Sequence, residues 1–251
     1  MIPGLKDGEF TIQKYCLSVL NYEIAFFVTH KVKQKNFSSF KLNAFVQSSE
    51  NFTGIDYRSY NQACLYYSMA AYKNIPLEQQ GLLNKGKWGK PVLLSPNIEF
   101  FFNVSHSKSV FSVAFSKQCD IGLDIESLYR VVPNGLRNTA YTEQERLYIG
   151  SKGNHNHEFL RYWSAKEAVL KCAGYGLTES IKNIHLMPYR NGSMLAYFQS
   201  ENLNNKQYYF LVPTPLIAGA FGFIAVPINA EQWLVNRVCN TQGYDYKWEL
   251  E

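Results

Sequence analysis

Gly122-Leu123-Asp124-Ile125-Glu126 is the stretch from which both the fold and the chemistry of this chain can be approached. Its apolar residues alternate with its polar ones, which is the period-2 pattern of a strand with one buried face. The alternation places Asp124 and Glu126 together on the opposite face, with Cα atoms roughly 6–7 Å apart. Two carboxylates this close repel unless a cation or a proton lies between them, so the pair is suited to a cation site. On spacing alone, however, the pattern favours a solvated strand face, because D-x-E is common.

A second stretch, Trp163-Ser164-Ala165-Lys166-Glu167, lies in a segment that predicts a helix from about Glu158 to Ala173. Large apolar residues recur at helical spacing, and Gly174 follows as a stop signal. We expect Asn156, or a residue near it, to cap the start of this helix.

Glu167 and Lys171 are four residues apart, so they share one face of the predicted helix. Carboxylate oxygens suit a hard divalent ion such as Mg²⁺, and lysines suit phosphate. The two stretches together therefore indicate metal-assisted transfer of a phosphate-linked group. An ordinary surface ion pair within one helix is the alternative for Glu167 and Lys171.

Two further segments precede the D-x-E stretch. In Phe101-Phe102-Asn103-Val104-Ser105-His106-Ser107 an apolar run ends in hydroxyls and a histidine, which can donate hydrogen bonds to phosphate oxygens. We expect His106 to lie in a loop between this run and the next strand, which contains Val110 to Phe115. Earlier still, Gly89-Lys90-Pro91 predicts a constrained turn that carries Lys90.

In this order, G-K-P, F-N-V-S-H-S, G-L-D-I-E and W-S-A-K-E-A-V-L-K resemble the motifs of the 4′-phosphopantetheinyl transferase superfamily. The resemblance is closer to the longer, surfactin-synthetase-activating (Sfp-like) type than to the short holo-ACP synthase type. It covers residues 89–176, about a third of the chain. Tyr141-Thr142-Glu143-Gln144-Glu145 resembles a short aromatic-x-x-x-E element between the two main motifs. The spacing of Thr142 and Glu145 predicts a capping box that starts a helix.

The resemblance implies an enzyme that moves the 4′-phosphopantetheine arm of coenzyme A onto a serine of an apo acyl or peptidyl carrier protein. Mg²⁺, with Mn²⁺ as an alternative, would be the metal, and adenosine 3′,5′-bisphosphate would be released. Metal binding falls to Asp124, Glu126 and Glu167, while Lys171 contacts the pyrophosphate and Lys166 is the other lysine of the helix motif.

By the same resemblance, CoA contacts fall to Lys90, Pro91, Ser105, His106 and Lys171. The catalytic set is Glu167, Lys171 and Asp124. Within it Glu167 is the first candidate for the base that deprotonates the carrier serine, and Asp124 the second.

The chain departs from the resemblance at the partner of the CoA 3′-phosphate. Members of this type often carry an arginine in an N-terminal helix, but here Ser68 stands at that position of the helix predicted for Gln62 to Lys73. Arg58 and the lysines of an upstream run are the alternatives, namely Lys31, Lys33 and Lys35.

For the fold, the resemblance implies an α+β protein with two similar lobes, a pseudo-dimer, and the active site in the cleft between them. Each lobe would be an antiparallel sheet packed with helices. The division is expected near Gln118, giving an N-terminal lobe at residues 1–118 and a C-terminal lobe at residues 119–251. A monomer follows, because each lobe would replace one subunit of the short trimeric type. From the pattern of residues, Ser18 to Thr29 predicts one strand, and three strands follow the long helix, at Leu195–Gln199, Tyr208–Val212 and Ala218–Val226.

Composition narrows the class of protein. No apolar stretch reaches the about 20 residues that a transmembrane helix needs, and the start of the chain is unlike a secretory signal. Five scattered cysteines without a C-x-x-C pair suit reduced thiols in a cytoplasmic protein and argue against a zinc site. The net charge of +5 is compatible with acidic partners such as CoA and carrier proteins, and equally with nucleic acid.

Two other functions use the same carboxylates. A Mg²⁺-dependent phosphodiesterase would explain the basic charge but not the G-K-P and S-H-S elements. The leading interpretation, a transferase, assigns neither a nucleic-acid partner nor a membrane partner. The second alternative is a catalytically degenerate homologue that binds only CoA or carrier proteins, although clustered carboxylates are costly to keep without a ligand.

Overall fold

The structure is a computed structural model, and it describes residues 12–30, 61, 64, 65, 68, 69, 72, 83–85, 91–93, 100–107, 110–175, 180–200, 205–238 and 246–250. Its strands are β1 Ile12–Val19, β2 Tyr22–His30, β3 Leu83–Lys85, β4 Pro91–Leu93, β5 Phe101–Ser107, β6 Val110–Ser116, β7 Gly122–Ser127, β8 Ile184–Pro188, β9 Met194–Phe198, β10 Gln207–Pro213, β11 Ala220–Ile228 and β12 Tyr246–Leu250. Its helices are α1 Asn134–Ala140, α2 Glu143–Gly150, α3 His155–Ala173 and α4 Ala230–Val238.

Two five-stranded antiparallel sheets organise the described residues, which confirms the α+β prediction. The first sheet has the order β12-β1-β2-β6-β5 and the second has the order β7-β11-β10-β9-β8. β3 and β4 form a separate pair. β5 and β7 are therefore edge strands of different sheets.

The single strand predicted for Ser18 to Thr29 is wrong, because β1 and β2 form a hairpin. The chain reverses at Leu20, which has a φ of 55°. Hairpin turns with positive φ normally carry Gly or Asn, so a leucine in this conformation gives no turn signal in the sequence. The three strands predicted after the long helix are confirmed as β9, β10 and β11, whereas β8 was missed.

The two sheets share one apolar core between their facing sides. Leu17, Ile24 and Phe26 of the first sheet belong to the same buried cluster as Leu123 and Ile125 of β7. Burial of these side chains is the main force that holds the two sheets together, at about 25 cal/mol per Å² of apolar surface removed from water.

Helices cover the outer face of each sheet. Against the first sheet, Cys64, Leu65 and Met69 pack in one cluster with Phe111 and Phe115 of β6. These three residues belong to the six that the structure describes as helical between 61 and 72. Against the second sheet, α3 contributes Ala165, Ala168 and Val169, among others, to a cluster with Phe223.

The first sheet takes strands from both ends of the chain, because β12 pairs with β1. Trp248 of β12 also donates its indole N–H to the carbonyl of Pro213 in the second sheet, at 3.1 Å. The division into lobes at residues 1–118 and 119–251 stays a prediction, and any such division has to give the final strand to the first sheet.

Among the described residues, no helix is both long and apolar enough to cross a membrane. The four cysteines that the structure describes are free thiols.

Candidate active site

Strand β7 is buried on both faces, so the alternative of a solvated strand face is wrong. Asp124 is 7% exposed and Glu126 is 5% exposed. Leu123 and Ile125 point into the core between the sheets, as the alternation predicted. The polar face lies against α3, because a Cβ on Gly122 would be 1.8 Å from the carbonyl oxygen of Ala168. Only glycine allows the helix to approach the strand this closely.

Helix α3 holds its functional face toward β7. Ser164 Oγ donates to the main-chain oxygen of Asp124 at 3.0 Å, which ties the middle of the helix to the middle of the strand. Gly174 ends the helix in the left-handed conformation, with φ of 78°, as the stop signal predicted. At the other end, the cap is Asn154 rather than Asn156, and the helix starts at His155.

Lys171 bonds to β7 and to the first sheet at the same time. Its Nζ lies 2.8 Å from Asp124 Oδ1, 3.0 Å from the carbonyl oxygen of Leu123 and 3.3 Å from Ser105 Oγ. The carboxylate partner of Lys171 is therefore Asp124. The alternative of an ordinary surface ion pair between Glu167 and Lys171 is wrong.

The free edge of β7 is closed by side chains of β5. Asn103 Oδ1 accepts from the N–H of Leu123 at 3.1 Å, and Ser105 Oγ accepts from the N–H of Ile125 at 3.1 Å. The Ser105 hydroxyl also donates to Asp124 Oδ1 at 3.2 Å. Two side chains thus replace the main-chain partner that an edge strand otherwise lacks. Asn103 was not predicted as a functional residue, although its spacing of two from Ser105 puts both on one strand face.

Glu126 has a cationic partner that the sequence analysis also missed. Arg130 makes an ion pair with Glu126 through its Nη1. The guanidinium lies over the ring of Trp163, 5.8 Å from the ring centroid. Asn156 holds the main chain here, since its Nδ2 donates to the carbonyl of Arg130 at 2.9 Å. A separation of four residues indicates an ion pair when both residues belong to one helix. Glu126 and Arg130 have this separation, but β7 ends between them, at Ser127, so the spacing did not predict their contact.

Two of the carboxyl groups have strongly raised pKa values. Burial, then repulsion by Asp124, raises the pKa of Glu126 from 4.5 to about 7. The same two causes raise the pKa of Glu167 from 4.5 to about 7. The Lys171 ammonium and the Arg130 guanidinium only partly offset these causes. A region that repels its own negative charge in this way attracts an added cation.

The donor set fits a hard divalent cation in its chemistry. Asp124 Oδ2 is buried and accepts no hydrogen bond from any residue that the structure describes. A buried carboxylate oxygen without a partner is costly, and a cation would satisfy it. Within the described ranges, no group of three or more His, Cys, Asp or Glu side chains is assembled tightly enough to hold a metal ion. Instead, Lys171 and Arg130 pair with Asp124 and Glu126.

Among the predicted CoA contacts whose side chains the structure describes, only Ser105 and Lys171 lie together. The expectation that His106 lies in a loop is wrong, because His106 lies inside β5, where it pairs with Phe111. Neighbouring residues of a strand point to opposite faces, so the exposed His106 points away from the side of Ser105.

The other predicted CoA contacts are less informative. Pro91 begins β4, opposite Lys85. Lys90 lies outside the described residues, as do Arg58 and the lysines of the upstream run, Lys31, Lys33 and Lys35. Ser68 is fully buried, and its Oγ donates to the carbonyl of Cys64 at 2.8 Å.

The predicted capping box of Thr142 and Glu145 is confirmed at the start of α2. Lys166 is fully buried and pairs with Glu145, with 2.7 Å between Nζ and Oε2. It therefore lies apart from the carboxylates of β7, unlike the second lysine of the helix motif.

A protein-family model for the 4′-phosphopantetheinyl transferase superfamily matches residues 120–217, which is under half of the chain. The matched range contains β7, α3 and most of the second sheet, and supports a transferase of the phosphopantetheinyl type. No curated protein matches this chain significantly.

Proposed function

We propose that this protein transfers the 4′-phosphopantetheine arm of coenzyme A to a serine of an apo carrier protein and releases adenosine 3′,5′-bisphosphate. The proposal depends mainly on where the charged side chains lie relative to the range that the family model matches. Asp124 and Lys171, 2.8 Å apart, lie within the matched range, with Glu126 on the same strand face and Glu167 on the same helix.

Three carboxylates are proposed to bind Mg²⁺, or Mn²⁺ as the alternative. They are Asp124, Glu126 and Glu167, and the unpartnered Oδ2 of Asp124 supports the assignment. When bound, the metal would neutralise charge on the pyrophosphate oxygens of CoA. Binding would require Glu126 to exchange its pairing with Arg130 for the metal, since the two are in contact.

The protein's own residues supply the other functions. Glu167 is the first candidate for the base that takes the proton of the carrier serine, directly or through water. Asp124 is the second candidate for this base. Lys171 stabilises the charge on the leaving phosphate with its ammonium group. Its bonds to Asp124, Ser105 and Leu123 hold that group in place beforehand.

CoA is proposed to contact Ser105, His106, Lys90 and Pro91 in addition to Lys171. Ser105 has the strongest support, because it is hydrogen-bonded to Asp124. His106 would have to act from the other face of β5. Arg58 and the upstream lysines remain the proposed partners of the 3′-phosphate.

We also propose that the whole chain is of the Sfp-like type. In that case each five-stranded sheet would form the centre of one lobe of a monomeric pseudo-dimer, and the active-site cleft would lie where β5 meets β7. The helix on the outer face of each sheet supports this arrangement. A cytoplasmic location and an acyl or peptidyl carrier partner belong to the same proposal.

The reaction can be tested through its small product. CoA is incubated with the protein and Mg²⁺, with and without an apo carrier protein, and adenosine 3′,5′-bisphosphate is measured by chromatography. We expect the product only when the carrier is present. Product formation without carrier would identify a phosphodiesterase instead, and CoA binding without product across a panel of carriers would identify a degenerate binder.

A further inference from the structure

Lys166 is the charged residue most deeply buried in α3. It is 0% exposed, and its Nζ donates to Glu145 Oε2 at 2.7 Å, to the carbonyl of Ala140 at 3.0 Å and to the carbonyl of Ile181 at 3.4 Å. An ammonium group has three N–H donors, and these three acceptors use all of them. Lys171 also has three acceptors, but its side chain is 27% exposed, whereas that of Lys166 is 0% exposed, so a phosphate or a metal-bound ligand does not reach the Lys166 ammonium.

Glu145 extends these contacts to further elements. Its Oε2 also accepts from the N–H of Thr142 at 2.9 Å, and its Oε1 accepts from the N–H of Leu186 at 3.4 Å. One buried ion pair thus joins α3 to the end of α1, the start of α2, the turn before β8 and β8 itself.

The pair is located on the far side of α3 from the candidate active site. Consecutive residues of a helix are about 100° apart around its axis, so Lys166 and Glu167 project in different directions. Ser164 and Lys171 bond to β7 on one side of the helix, and Lys166 bonds to α2 and β8 on another. The helix is therefore fixed against rotation from two directions.

We propose that Lys166 is a positioning residue, whose ion pair with Glu145 sets the rotation of α3 and thereby the places of Glu167 and Lys171 beside β7. This inference rests on the proposed function, in which Glu167 and Lys171 act on CoA. It assigns to Lys166 a part in the reaction without contact to any substrate.

Replacing one partner of this ion pair has a different consequence from replacing both. Removing one partner of a buried ion pair leaves an uncompensated charge, whereas a neutral pair of similar size is often tolerated. Met is close to Lys in length and packs in apolar surroundings. Gln in place of Glu145 keeps an oxygen for the N–H of Thr142, since Gln also completes a capping box.

The test compares wild type, Lys166→Met and Lys166→Met/Glu145→Gln, with Lys182→Met as a control at an exposed lysine beside the same turn. Hydrogen–deuterium exchange across α3, without added ligand, reports how firmly the helix is held in place, independently of activity. Thermal unfolding and the steady-state constants for CoA and Mg²⁺ are measured on the same samples.

We expect Lys166→Met to lower Tm on the order of 10 °C and to increase amide exchange across α3. Well below its Tm, this variant should lose more than about tenfold in kcat with KM for CoA changed less than about threefold, because small misplacement of catalytic groups costs rate. The double variant should regain stability, because no buried charge is left uncompensated, but without the ion pair its amide exchange across α3 should stay raised and its kcat lowered. The control should match wild type.

A double variant with wild-type exchange would overturn the inference. With wild-type kcat it would mean that the ion pair does not position α3, and with the low kcat of Lys166→Met it would mean that Lys166 itself contacts the reacting groups. Unchanged exchange in Lys166→Met would also overturn it. Wild-type protein without transfer activity would refute the proposed function, while the exchange data would still decide whether the ion pair positions α3.

Discussion

Ser105 Oγ lies 3.2 Å from Asp124 Oδ1, although the two residues belong to edge strands of different sheets. The same oxygen accepts from the N–H of Ile125 at 3.1 Å. A single hydroxyl thus joins the first sheet to the strand that carries the two carboxylates. Its contact with Lys171 extends the connection to α3.

Ser105→Ala should weaken both the junction and the reaction. The substitution leaves the Ile125 N–H unpaired, which costs about 1–3 kcal/mol of the free energy of unfolding. It also frees the Asp124 carboxylate to move, and we expect transfer to fall about 10- to 100-fold if Asp124 is a metal ligand as proposed, which is the effect of removing groups that orient metal ligands. Thermal unfolding and transfer kinetics measure the two effects.

The matched control is Ser112→Ala. Ser112 lies directly opposite Ser105 in the β5–β6 pairing and is also buried. Its Oγ has no hydrogen-bond partner among the residues that the structure describes. The control should keep wild-type activity and stability, and equal effects of the two substitutions would mean that the Ser105 contacts contribute nothing specific.

Replacing Asp124 or Glu126 with Ala should nearly abolish transfer. Each loses one proposed metal ligand, and the lost stabilisation of charge corresponds to at least about 100-fold in kcat. Circular dichroism should show a folded protein, because the apolar side of β7, with Leu123 and Ile125, is unchanged. Near-normal turnover in Mg²⁺ by either variant would refute the metal assignment.

Gly122→Ala should disrupt the contact between β7 and α3. The added methyl group would lie 1.8 Å from the oxygen of Ala168 and 2.6 Å from the nitrogen of Cys172, both of them main-chain atoms. Such overpacking costs on the order of 3 kcal/mol, and displacement of α3 should reduce transfer. The control is Gly150→Ala at the end of α2, where a Cβ meets nothing within 4 Å. Equal denaturation midpoints for the two variants would contradict the close contact.

The raised pKa of Glu167 predicts how stability depends on pH in the presence of EDTA. Between 4.5 and about 7 the native carboxyl group binds more protons than the unfolded one, so its contribution to stability is present at low pH. That contribution is lost as pH rises through about 7. Urea denaturation of wild type and Glu167→Gln should therefore differ most above this pH, with the Gln variant more stable.

The matched substitution for this series is Glu143→Gln, at an exposed position in the first turn of α2. It should leave the pH dependence of wild type unchanged. An identical pH dependence for Glu167→Gln and wild type would mean that burial and Asp124 do not act on Glu167 as described.

The sequence predicted the parts of the site that depend on local pattern. Alternation in residues 122–126 predicted a strand with Asp124 and Glu126 on one face, and helical spacing predicted α3 to its last residue. The burial of both faces of β7 could not be read from the alternation, since it results from the packing of α3 over Gly122.

Other features depend on contacts between distant parts of the chain. Asn103 and Ser105 bond to residues about twenty positions later, and Lys166 pairs with Glu145 of another helix. The sequence alone did not separate the buried Lys166 from the partly exposed Lys171, because both occur in one helix motif. The hairpin at Leu20 was missed since leucine is rare at positive φ.

Transfer of the 4′-phosphopantetheine arm from CoA to a carrier protein is best tested by intact-protein mass spectrometry. An apo carrier is incubated with the protein, CoA and Mg²⁺, with EDTA and Asp124→Ala as controls. We predict a mass gain equal to one 4′-phosphopantetheine arm, absent in both controls. No mass gain across fatty-acid, polyketide and peptide-synthesis carriers, with CoA binding verified on the same sample, would contradict it.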